Sequence, residues 1–139
     1  MTQPQTQTQT QAAAQFQPQE YEAAVTRYLE AWNATDPADR AKAVAAAFTE
    51  DGSYTDPLAD VAGHDQLAAV IGAVHEQFPG FRFRQLGAVD GHHHIARFGW
   101  ELVSPADGSA PVAGSDVITL AADGRIASVH GFLDRVPAA

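Results

Sequence analysis

Apolar residues between Tyr21 and Trp32 recur at helical spacing, with Tyr21, Val25, Tyr28, Leu29 and Trp32 on one face, and predict a first helix that ends near Asn33. Asp36 before Pro37 is a helix start: the carboxyl caps free N–H groups, and proline occupies the first turn, where its missing N–H costs nothing. The second helix then runs through Ala-rich sequence to Phe48. Thr49-Glu50-Asp51-Gly52 reads as a turn and Ser53-Tyr54-Thr55 as a short strand stopped by Asp56-Pro57. A third helix over Gly63–Phe78 places Leu67, Val70, Ile71, Val74 and Phe78 on one side, and Pro79-Gly80 stops it.

Beyond Gly80 the period falls to two. Strands are expected over Phe81–Val89, His93–Val103, Val112–Leu120 and Ile126–Phe132, separated by turns at Asp90-Gly91, Pro105–Gly108 and Ala122–Gly124. Helices followed by a meander predict an α+β domain over 20–139: a cone-shaped, curved antiparallel sheet wrapped around three N-terminal helices and enclosing an apolar pocket. Strand parity puts Phe98 with Trp100, and Asp116 with Ile118 and Leu120, so a carboxyl falls among apolar neighbours. Residues 1–19 alternate Gln with Thr, Ala and Pro and carry little apolar bulk, which predicts a disordered tail.

The composition fits one globular core, with 139 residues, 45% apolar and 18% charged. A formal net charge of −9 repels phosphate backbones and anionic lipid, which argues against nucleic acid or membrane as partners. No cysteine is present, so disulfides and thiolate chemistry are excluded. The opening MTQPQTQTQT has neither the basic nor the apolar stretch of a secretory leader, and the expected location is the cytoplasm. Three consecutive histidines, His92-His93-His94, point to alternating faces of a strand and cannot converge on one ion, so no metal site is expected there.

The stretches VTRYLEAWN, FTEDGSYTDP, AGHDQL, GSDVITLAADGRI and SVHGFLD resemble the nuclear transport factor 2-like superfamily, in particular its SnoaL-like and ketosteroid-isomerase-like branch, over residues 21–135. That superfamily includes isomerases, polyketide cyclases, dehydratases, epoxide hydrolases and non-catalytic binding modules, so fold does not fix function. Three positions match those of ketosteroid isomerase. The resemblance implies Asp56 of YTDP as proton-transfer base, with Tyr28 and a protonated Asp116 as donors to a developing enolate oxygen. For that role Asp116 must stay neutral at pH 7 through burial.

Each residue also has a structural reading. Asp56 before proline suits a turn cap, Tyr28 suits the core, and Asp116 suits a buried carboxylate paired with backbone or a basic group. Trp32, Phe48, Phe98, Trp100 and Phe132 either line the pocket or form plain core. His75 and His130 are either acid–base groups or structural, and the polyketide-cyclase-like variant pairs Asp116 with His130. The expectation is a cofactor-independent proton-transfer enzyme, an isomerase or cyclase acting on a small apolar carbonyl compound. The rival is a non-catalytic ligand-binding or dimerisation module. Family precedent implies a homodimer through the outer face of the sheet in either case.

Overall fold

The computed structural model describes residues 16–137. Helix α1 spans Pro18–Asn33, and its start is fixed by the Glu20 carboxylate, which accepts a 2.8 Å hydrogen bond from the Gln17 N–H. Pro18 and Gln19, expected in the tail, therefore belong to the helix; residues 1–15 of that tail lie outside the described residues. Helix α2 covers Pro37–Ala47, capped as expected by Asp36, whose Oδ2 accepts from the N–H groups of Ala38 and Asp39 at 3.1 Å each.

The chain then enters strands β1 (Phe48–Thr55) and β2 (Asp60–Ala62), helix α3 (His64–Gln77) and strands β3 (Arg82–His92), β4 (Ile95–Val103), β5 (Val112–Leu120) and β6 (Ile126–Arg135). The sheet order is β2-β1-β6-β5-β4-β3, an open, curved sheet rather than a closed barrel. Four of its five strand pairings are antiparallel, but β1 runs parallel to β6, so the sheet is mixed and not wholly antiparallel. Parallel pairing is possible because α3 and four strands separate β1 from β6 in sequence, giving the chain room to cross over. For the same reason only α1 and α2 precede the sheet; α3 follows its first two strands.

Two expected turns fall inside strands. Thr49–Gly52 lies within β1, where the register jumps from Phe48↔Ile126 to Ser53↔Ser128 and the turn-forming residues bulge out of the ladder. Asp90-Gly91 continues β3, paired with Arg97 and Ala96, and the reversal comes later at His93-His94, with His93 at φ 49°. Gly91 is small for a packing reason. A side chain there would meet the Tyr21 ring at 2.6 Å, so this glycine admits an aromatic ring over the strand instead of bending the chain.

Alternate strand residues face the helices and form the core. Val25, Ala31, Val44, Ile118, Ile126 and Val129 are fully buried, and Tyr28 sits among aromatic rings, with Phe98 edge-on at 5.6 Å and Phe48 at 5.9 Å. Among the described residues no helix is long and apolar enough to cross a membrane.

Candidate functional site

Between the C-terminal halves of α1 and α3 and the concave face of the sheet lies a cavity of about 180 Å³. Tyr28, Trp32, Asp56, Trp100 and Asp116 all line it, so five residues singled out in the sequence, from three elements and a loop, meet at one place. Leu29, Val74, Phe78, Phe83, Leu102 and Leu133 complete apolar walls, and the exposed Leu58 and Val136 are also part of its lining. A cavity with apolar walls and a few convergent polar groups suits a small apolar molecule carrying one or two polar atoms.

Asp116 projects from β5 directly opposite Phe98 of β4 and is only 2% exposed. Its Oδ2 accepts a 2.8 Å hydrogen bond from the Tyr28 hydroxyl. Burial pushes its carboxyl up to about 6, with the Asp56 and Asp134 charges adding to the rise; the hydrogen bond from Tyr28 and the nearby Trp100 indole restrain it. The shift has the direction that the protonated-donor role requires, and a carboxyl at about 6 is mostly ionised at pH 7. Tyr28 itself is held well above the usual phenol range, first by burial and then by the Asp116 charge, and keeps its proton.

Asp56 has a different environment. Its Oδ1 accepts from the N–H groups of Leu58 and Ala59 at 2.8 Å each, and its Oδ2 accepts from the Tyr54 hydroxyl at 2.5 Å. The turn-capping role and the pocket-lining position coexist in one side chain. Tyr54 is the site residue that sequence reading missed, although its i, i+2 relation to Asp56 puts both on one face of an extended segment. Burial and the bond to Asp56 raise its phenol well above the usual range.

The two carboxyls approach across Gly131 of β6. A Cβ at that position would lie 2.7 Å from Asp116 Oδ1 and 3.3 Å from Asp56 Cβ, so only glycine leaves both side chains where they are.

A family model for the SnoaL-like domain matches residues 25–129. The chain belongs to the SnoaL-like family. One solved structure, named a candidate isomerase of that family from Agrobacterium tumefaciens strain C58, is 41% identical over 84% of this chain and 98% of its own, with a TM-score of 0.79. A second, named a candidate SnoaL-like polyketide cyclase from Jannaschia sp. CCS1, is 20% identical over 84% of this chain and 87% of its own, with a TM-score of 0.68, and shows the fold alone. A de novo designed protein with a curved β-sheet has the same architecture at 14% identity and a TM-score of 0.65, covering 86% of this chain and 88% of its own. No match is found among the curated proteins.

The remaining candidates take other places in this SnoaL-like domain. Phe48 and Phe98 pack around the Tyr28 ring and do not line the cavity. His75 bonds through Nε2 to the Trp32 carbonyl oxygen at 2.6 Å, tying α3 to the end of α1. His130 and Phe132 leave the pocket altogether. In register with Val117 and Ser115, they lie on the face opposite Asp116, where His130 bonds to Ser128 and Phe132 is 61% exposed. The Asp116–His130 pair of the cyclase-like variant is therefore split across the sheet. His92 ends β3 beside the His93-His94 turn, and among the described residues no three His, Asp or Glu side chains are grouped to hold a metal ion.

Proposed function

We propose that the protein is a cofactor-independent proton-transfer enzyme, an isomerase or cyclase, acting on a small apolar carbonyl compound, with Asp116 as the group that moves the proton. The observation that carries this reading is the contrast between two carboxyls in one apolar cavity. Asp56 has both oxygens engaged by three internal donors, whereas Asp116 is buried, lacks a basic partner and titrates near 6. A proton carrier works best when its pKa lies near the working pH, and a carboxylate weakly solvated by the protein is the stronger base.

In the proposed step the Asp116 carboxylate takes a proton from the carbon next to the carbonyl and returns it further along the enol. Tyr28 holds the carboxylate in position throughout. Asp56, fixed by Tyr54 and the turn N–H groups, keeps a second negative charge beside Asp116 and raises its basicity. The name of the Agrobacterium relative supports isomerisation and that of the Jannaschia structure supports cyclisation; both reactions begin with this proton abstraction. The rival, a non-catalytic binding module, draws support from Asp56, whose geometry as a turn cap is complete without any substrate. In either case we propose a homodimer through the outer sheet face, soluble in the cytoplasm.

Deuterium exchange at carbons adjacent to the carbonyl, followed by NMR over a panel of cyclic enones, separates these readings. The wild-type rate is expected to exceed that of buffer and to rise with pH through about 6. Asp116→Asn is expected to lose about 100-fold or more, and Asp56→Asn much less. Equal rates for wild type and Asp116→Asn would reject the assignment.

A further inference from the structure

A carbonyl oxygen that gains charge as its neighbouring carbon loses a proton needs a hydrogen-bond donor. Tyr28 is engaged with Asp116, giving its proton to Oδ2 at 2.8 Å, and the Trp100 indole lowers the pKa of the same carboxyl. Tyr54 gives its proton to Asp56. One donor is left. The Nε1–H of Trp32 is the sole buried side-chain polar atom without a hydrogen-bond partner among the described residues, in a side chain only 6% exposed that lines the cavity. Buried N–H groups are nearly always paired, and one left open in a cavity wall marks a place for a partner atom from outside the chain.

We infer that the Trp32 indole N–H is the donor that receives the ligand's oxygen, and that the cavity selects ligands bearing a carbonyl-type acceptor over hydrocarbons of the same shape. The inference rests on the proposed carbonyl substrate class, but not on turnover. The indole is well held for this task. Its ring lies 5.1 Å from the Phe83 ring and 5.5 Å from the Tyr54 ring, while the Trp32 carbonyl is gripped by His75, so the N–H direction is set by packing on both sides. Its N–H also lies toward the Tyr28 hydroxyl oxygen, outside hydrogen-bond geometry, and lowers that phenol's pKa. The ligand oxygen then sits between α1 and Asp116, which leaves the adjacent carbon facing the carboxylate.

Acetophenone and ethylbenzene differ only in the oxygen, and a cavity of about 150 Å³ takes a benzene ring, so this pair suits the volume available. Their dissociation constants are measured for wild type and Trp32→Phe, alongside the indole N–H resonances in proton–nitrogen NMR spectra of ¹⁵N-labelled wild type. Wild type is expected to prefer the ketone by about fivefold, with Trp32→Phe abolishing the preference while ethylbenzene binding stays within about twofold. Of the two indole signals, that of Trp32 is expected to move downfield with acetophenone and not with ethylbenzene. An unchanged ketone preference in Trp32→Phe, or an indole signal that responds alike to both ligands, overturns the inference. The enone exchange assay judges the enzyme reading separately: ketone selectivity that depends on Trp32 stands even where no turnover is seen, and turnover with an unaltered ketone preference in Trp32→Phe refutes this inference alone.

Discussion

Asp116 and Glu101 are both buried carboxyls on neighbouring strands, and their surroundings push them in opposite directions. Glu101, on the outer face, is gripped by Arg84 and reached by Arg135, and the Arg84 guanidinium holds it below the ordinary carboxylate range. Asp116 faces only hydroxyl and indole donors, so burial dominates and its carboxyl rises to about 6 from 3.8. A carboxyl raised in the folded state binds protons that the unfolded chain has already released. Stability is therefore lost as pH climbs from about 4 to about 6 and is level above that, a loss of about 2–3 kcal/mol from this one group. Asp116→Asn is expected to remove this slope, matching wild type near pH 4 and exceeding it at pH 8, as read from thermal melts across that range. A stability difference that does not change with pH would contradict it. Asp116 was legible in the sequence because strand parity put it among apolar neighbours. Its charge state was not, because that depends on Tyr28, which is 88 positions away.

Helix α1 carries two of the cavity's polar groups, and four hydrogen bonds with distant segments fix where it lies. The Tyr21 hydroxyl donates to the His93 carbonyl at 2.7 Å, His75 meets the Trp32 carbonyl, and the Asn33 amide donates to the Phe83 carbonyl at 3.0 Å while accepting from the Phe83 N–H at 2.7 Å. Asn33 thereby pairs with β3 as a neighbouring strand would. Asn33→Ala leaves both Phe83 groups without that partner and is expected to cost about 2 kcal/mol in urea unfolding. A loss below about 0.5 kcal/mol would show that water replaces the amide. The helix itself was readable from its apolar spacing, and so was the Asp36-Pro37 start of α2, because both signals are local. The Thr49–Gly52 bulge and Gly91 were misread as turns for one reason. Glycine serves a close approach as readily as a bend, and what approaches Gly91 is a ring seventy positions away.

Across the molecule the sheet separates two surfaces of different chemistry. The concave side encloses the cavity; on the other side Phe132, Ser115, Gly99 and Leu86 pair in register along one row through β6, β5, β4 and β3. Phe132 is 61% and Leu86 48% exposed, so the proposed dimer has an apolar row to bury. Sedimentation equilibrium is expected to give a dimer for wild type and a monomer for Phe132→Asp, with the cavity and its ligand binding unaffected. A wild-type monomer at micromolar concentration would set the sheet-face dimer aside.

The helices, the four C-terminal strands, the α+β class and the faces shared within β4 and within β5 were determined by sequence alone, because periodicity and helix caps act over a few positions. Tertiary structure decided the rest. Parallel pairing of β1 with β6 placed Asp56 beside Gly131 and so beside Asp116, a proximity that no local pattern encodes. The same sheet turned His130 and Phe132 away from the pocket they were expected to line. Which carboxyl is free to carry a proton and which indole N–H is left unpaired depends on hydrogen bonds among side chains from α1, β1, β4 and β5, and those partners meet only once the sheet has curved around the helices.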